Sequence, residues 1–222
     1  MIGIVLSVIY IVMLLAMLYS MSIGNNKAFL ILKTALALLF IAIVAILSPR
    51  SSYDTVTLIV GMIFCAAGDI LLGLFKYGDN KTWAYFDTGV IAFAVAQILY
   101  IAFTTVYGGF NIASVFVAVL FALAFTVVKK DVVMHSRHAQ LSVIYAMLII
   151  TMVSNIIIID IFSHPPLSAL VFTAGAVLFA ISDAVLYGIV FDREHYRLSQ
   201  DYLNKSTYFV GQLLIAVSVA VI

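Results

Sequence analysis

TVTLIVGMIFCAAGDILLGLF, residues 55–75, carries one charge, Asp69, in an otherwise uncharged run. Coiled as an α-helix it would be about 32 Å long, enough to cross the ~30 Å hydrocarbon layer of a bilayer. The rest of the chain resembles it. Of 222 residues, 65% are hydrophobic and 9% charged, and the mean hydropathy is +1.23. A water-soluble domain of this size needs far more polar surface, so the composition predicts an all-α protein that crosses the membrane many times. The formal charge of +1 gives no electrostatic footprint for a nucleic acid. The single cysteine, Cys65, excludes an intramolecular disulfide.

Eight apolar stretches suggest eight transmembrane helices, near 2–23, 28–48, 55–75, 88–107, 112–128, 141–162, 167–190 and 207–222, forming one domain over 1–222. The breaks between them are short and polar, such as "GNNK", "PRSSYD" and "SHPP". The first stretch has no basic n-region and no clear small-residue cleavage site, so it reads as a retained helix rather than a signal peptide. Loops one, three, five and seven hold Lys27, Lys76, Lys81, Lys129, Lys130, Arg137, Arg193, Arg197 and Lys205, whereas the opposite side holds only Arg50. Basic loops stay in the cytoplasm. The expected location is therefore the cell membrane, with both termini on the non-cytoplasmic side.

Only Lys33, Asp69 and Asp183 lie well inside these stretches, with Asp160 near an outer end. Helical rise puts Asp69 and Asp183 about 9 and 10 Å from the cytoplasmic ends of spans three and seven, and Lys33 about 8 Å into span two. All three would share one layer, lining a polar cavity near the cytoplasmic leaflet. Asp69 and Asp183 are 114 positions apart; Gln97 and Gln212, on spans four and eight, are 115 apart. "AGDILLGLF" beside "ISDAVLYGIVF", and "AQILYIAF" beside "GQLLIAVSV", suggest two four-helix repeats in the same orientation.

An intramembrane carboxylate is functional by default, because burying an ion costs several kcal/mol and an ion pair is poor cement. The structural alternative is that both aspartates merely pair with Lys33 to hold helices together. Lys33 itself could reach the interface from near its helix end. Gln97 and Gln212 suit hydrogen bonds between helices. Tyr100, Tyr145, Tyr187 and Tyr208 are candidates to line the cavity. The four histidines lie in or beside loops, which argues against a metal or other cofactor in the core; His135 and His138 have a metal-like spacing but no further ligands. The aspartates lack the flanking residues of aspartyl intramembrane proteases. A proton-coupled transporter of a small or lipid-like substrate, using the Asp69/Asp183 pair, is the non-enzymatic alternative, although no span carries a proline to break it.

"AAGDILLGLF", "GVIAFAVAQILYIAF", "VIYAMLIITM", "GAVLFAISDAVL" and "YFVGQLLIAVSV", in this order, resemble the successive signatures of the YhhN family, which includes lysoplasmalogenases. The resemblance runs from span two onward. It implies an eight-helix membrane enzyme that hydrolyses the vinyl ether of a lysophospholipid, with Lys33, Asp69, Tyr145, Asp183 and Gln212 as its key polar residues. Two positions depart from the family pattern. Thr34 follows Lys33 where proline is usual, and Gln97 stands where histidine is usual.

Vinyl ether hydrolysis starts with a proton delivered to the carbon β to oxygen, which leaves an oxocarbenium ion. Such a site needs a carboxylic acid that stays protonated and a negative group nearby, and two carboxyls in low dielectric supply both roles. The expected catalytic pair is Asp69 and Asp183. Whichever of them Lys33 pairs with should stay ionised, leaving the other as acid.

Overall fold

The computed structural model describes residues 2–48, 53–77 and 82–219. Among them are nine α-helices and no strand: α1 (Ile2–Ser22), α2 (Asn26–Leu47), α3 (Tyr53–Tyr77), α4 (Trp83–Gly108), α5 (Ala113–Val128), α6 (Lys130–His135), α7 (Arg137–Phe162), α8 (Leu167–Phe191) and α9 (Leu198–Ser218). One 3-10 turn, Arg193–His195, separates the last two. Arg50 and Lys81, counted above among the loop charges, lie outside the described residues, as does the side chain of Arg193.

Six helices, α1 to α4, α7 and α8, are long and apolar enough to cross a bilayer. This is a multi-pass membrane protein. Its surface is turned inside out relative to a soluble fold. On α5, Phe116, Leu120, Leu123 and Val127 recur at helical spacing and face outward, while Ser114, Ala118 and Ala122 are buried. α1 likewise exposes Ile4, Val8, Val12 and Leu15.

Helix starts are set by local chemistry. The side chain of Asn25 accepts from the Ala28 N–H at 3.1 Å, and that of Ser136 accepts from Ala139 N–H at 3.3 Å, which satisfies otherwise orphaned donors at the starts of α2 and α7. Gly109, at φ 81°, ends α4 in a conformation that suits glycine. Three helices begin four or more residues earlier than hydropathy suggests: α4 at Trp83 rather than 88, α7 at Arg137 rather than 141, and α9 at Leu198 rather than 207. The added turns carry polar side chains that find partners within the protein. The stretch around "KKDVVMH", expected as loop, forms α6.

Neighbour relations recur along the chain. α2 packs on α1 and α3, and α3 on α4; later, α7 packs on α5 and α8, and α8 on α9. Across these groups α4 packs on α7, and α2 on α9. Close approach depends on glycine. A Cβ at Gly68 would lie 2.6 Å from the Phe93 ring, and one at Gly175 only 2.7 Å from the Gly211 carbonyl oxygen.

Candidate active site

Asp69 sits on α3 and Lys33 on α2, both buried, at 4% and 3% exposure. The Lys33 ammonium lies 3.1 Å from Asp69 Oδ1 and donates to the Asp69 main-chain carbonyl at 2.6 Å. Gly73, one turn further along α3, leaves room for it. A Cβ there would stand 2.9 Å from Leu30 and 3.8 Å from Lys33 Nζ. Asp69 Oδ2 makes no hydrogen bond, although the Tyr208 hydroxyl is close enough to interact with the carboxylate.

Asp183 sits on α8, and its partner is unlike the first. The Tyr145 hydroxyl, from α7, donates to Asp183 Oδ2. Asp183 and Tyr145 line an apolar chamber of about 330 Å³ enclosed by α3, α4, α5, α7 and α8. Among its lining residues Asp183 alone carries a carboxyl. Asp69 lines neither this chamber nor the one beside it, but the two carboxyls are near enough to interact electrostatically. Phe93 touches the rings of both Tyr145 and Tyr208, with centroids 6.2 and 6.0 Å away, and so bridges the tyrosines associated with the two aspartates.

Gln212 lies in a chain of polar contacts. It accepts from the Tyr100 hydroxyl and donates to that of Tyr208, each at 3.3 Å, and Cys65 Sγ is 3.5 Å from Tyr100. Gln97, by contrast, is completely buried beside Tyr145, yet neither end of its amide forms a hydrogen bond of good geometry. The Tyr187 hydroxyl is also unpaired, in the chamber wall. Lys33, Asp69, Gln97, Tyr145, Asp183, Tyr208 and Gln212 are thus gathered in one interior region, with Tyr187 at the chamber's edge. No group of three or more His, Cys, Asp or Glu side chains arranged to hold a metal occurs among the described residues.

A second, more polar space of about 580 Å³ shares Leu72, Phe86, Leu186 and Val190 with the apolar chamber. Lys33, Lys76 and Lys205 line it. Lys76 pairs with Asp201, which also accepts from the Tyr196 hydroxyl. Burial, and then the hydrogen bond to Asp201, pushes the Tyr196 phenol up to about 12, so it stays a neutral donor. Asp201, Asn204 and Lys205 precede the eighth apolar stretch, where their polarity masks the start of α9 in any hydropathy window. Only the N3 position of Gln200, whose side chain caps the Arg197 N–H at 2.9 Å, hinted at the helix start.

No curated protein and no solved structure matches the chain. The family model of YhhN matches residues 28–219, nearly the whole length and both aspartate sites. The chain belongs to the YhhN family.

Proposed function

We propose that the protein hydrolyses the vinyl ether of lysoplasmalogens, with Asp183 as the acid. The observation that carries this reading is the position of Asp183, the one carboxyl in the wall of an apolar chamber, held by a neutral tyrosine rather than a cation. Membership of a family with lysoplasmalogenase-like members supports the reaction class. The eight long helices are read as two four-helix repeats crossing the membrane eight times, supported by the recurrent neighbour pattern and by Gly61 and Gly175, which share the 114-residue offset of the aspartates.

In the proposed reaction Tyr145 fixes Asp183 through Oδ2, leaving the other carboxyl oxygen to deliver its proton to the β carbon of the vinyl ether. The resulting oxocarbenium ion is stabilised by the field of the two carboxylates. Asp69, paired with Lys33, accepts a proton from the incoming water at Oδ2, and Gln97 orients that water through its unpaired amide. The hemiacetal so formed collapses to a fatty aldehyde and a glycerophospho-alcohol. Return of the proton from Asp69 to Asp183 completes the cycle.

The test is aldehyde release from 1-alkenyl lysophospholipid by purified protein. In D2O, initial product should carry one deuterium on the carbon next to the carbonyl. Asp183→Asn should lower the rate ~100- to 10,000-fold, the usual worth of a general acid. Tyr145→Phe should cost about ten- to a hundredfold. A wild type inert to vinyl ether and ester lysolipids alike would remove the hydrolase reading and leave proton-coupled transport in its place.

A further inference from the structure

The polar space beside the chamber is lined by three lysines, only two of which have a carboxylate partner among the described residues. Lys33 is matched by Asp69 and Lys76 by Asp201. Lys205 forms no salt bridge among the described residues. It is 9% exposed, and among the described residues no carboxylate lies within 4.0 Å of its ammonium. Its hydrogen bond goes to Asn204 Oδ1, at 2.6 Å. That amide cannot turn away, because Asn204 Nδ2 donates to both the main-chain and hydroxyl oxygens of Ser182, each at 2.8 Å. Lys205 also feels the positive charges of Lys33 and Lys76 and, more weakly, the carboxylates of Asp69 and Asp201. Three lysines thus line this space and two of them have carboxylate partners, so an incoming anion would find in Lys205 a buried donor with no salt bridge of its own.

We propose that this space is an anion subsite for the phosphoryl headgroup of a single-chain amphiphile, with Lys205 as its central ligand. The common wall with the apolar chamber sets the kind of anion. A group held by Lys205 would lie across Leu72 and Val190 from a space that suits a hydrocarbon chain. A free anion would use only half of this arrangement. Tyr196 and Lys76 line the same space, adding a neutral donor and a second cation. The subsite rests on reading the chamber as an amphiphile site, but not on the chemistry assigned to Asp183.

The experiment is equilibrium binding, in maltoside detergent, of a saturated 1-O-alkyl lysophosphatidate, which has no vinyl ether to cleave. Its counterparts are the matching 1-O-alkylglycerol, which lacks phosphate, and inorganic phosphate alone. Lys205→Met should weaken lysophosphatidate binding at least tenfold and leave alkylglycerol binding unchanged. Lys205→Gln, which keeps a donor for Asn204, should behave like Lys205→Met and serves as the reading if the methionine variant does not fold. Inorganic phosphate should compete poorly. Equal lysophosphatidate binding by wild type and a folded Lys205 variant would overturn the proposal, and so would inorganic phosphate binding as tightly as the lipid. Because binding is read without turnover, Lys205-dependent binding in a protein that releases no aldehyde would sustain the subsite while removing the hydrolase reading.

Discussion

Lys33 and Tyr145 occupy matching stations, each on the helix preceding the one that bears an aspartate, and they treat their carboxylates differently. A lysine supplies a full charge; a tyrosine supplies one hydrogen bond and no charge. Removing only the charge partner should therefore be severe. Lys33→Met is expected to cost about 3–5 kcal/mol, since it strands a buried carboxylate. Lys33→Met combined with Asp69→Asn should regain most of that stability in detergent unfolding measurements while remaining inactive. That both aspartates belong to the interior was legible from their positions in apolar runs. Which of them Lys33 would choose was not, because that depends on Gly73 opening a space between α2 and α3, a tertiary matter. Tyr145 stood among the candidate cavity tyrosines and among the residues the family resemblance implies, but its bond to Asp183 is likewise a tertiary matter.

At the scale of helices, α8 offers a matched pair of tests. A Cβ at Gly175 would meet the backbone of α9, 2.7 Å from Gly211 O and 2.9 Å from Ile215 N, and backbone cannot step aside as a side chain can. Gly188, on the same helix, has nothing within 4 Å. Gly175→Ala should destabilise by about 1–3 kcal/mol. Gly188→Ala should be neutral or stabilising by up to ~1 kcal/mol, through helix propensity alone. The first half of α9 was illegible for a related reason. Hydropathy assigns Asp201 and Lys205 to water, whereas α3 and α8 supply their surroundings. Near the end of α8, Asp192 lies 3.6 Å from Lys129 and 2.8 Å from His195. The His195 hydrogen bond holds the Asp192 carboxyl below its usual range, and Asp192 in turn raises His195. Their attraction fades as pH falls through the lowered carboxyl value and as it rises through the elevated imidazole value. Histidine NMR should show His195 titrating above 6.5, and Asp192→Asn should bring it back.

The whole molecule can be mapped with its own chemistry. Cys65 is fully buried, so it should stay silent toward a membrane-impermeant maleimide. Cysteines placed at Lys27 and His135 should label from one side of the membrane, and those at Asn111 and Ser163 from the other. The excess of basic loops predicts that the first pair reacts only after cells are permeabilised. Labelling of all four from one side would refute the multi-crossing arrangement. The same charge pattern carries the expected orientation in the sequence itself; the two adjoining spaces were not legible there, since their walls come from segments far apart in the chain.

The wall that divides the apolar chamber from the lysine-lined space also bears on what happens after the bond breaks. On the proposed reaction, scission falls where an oily compartment meets a wet one, and it turns one amphiphile into two molecules with opposite solubilities. The long-chain aldehyde loses its anchor to water and dissolves in the bilayer. The glycerophospho-alcohol loses a tether worth about 0.8 kcal/mol per methylene and diffuses into the aqueous phase. Recombination would require both to return from separate media to one small space, so the reaction is pulled forward by demixing of its products.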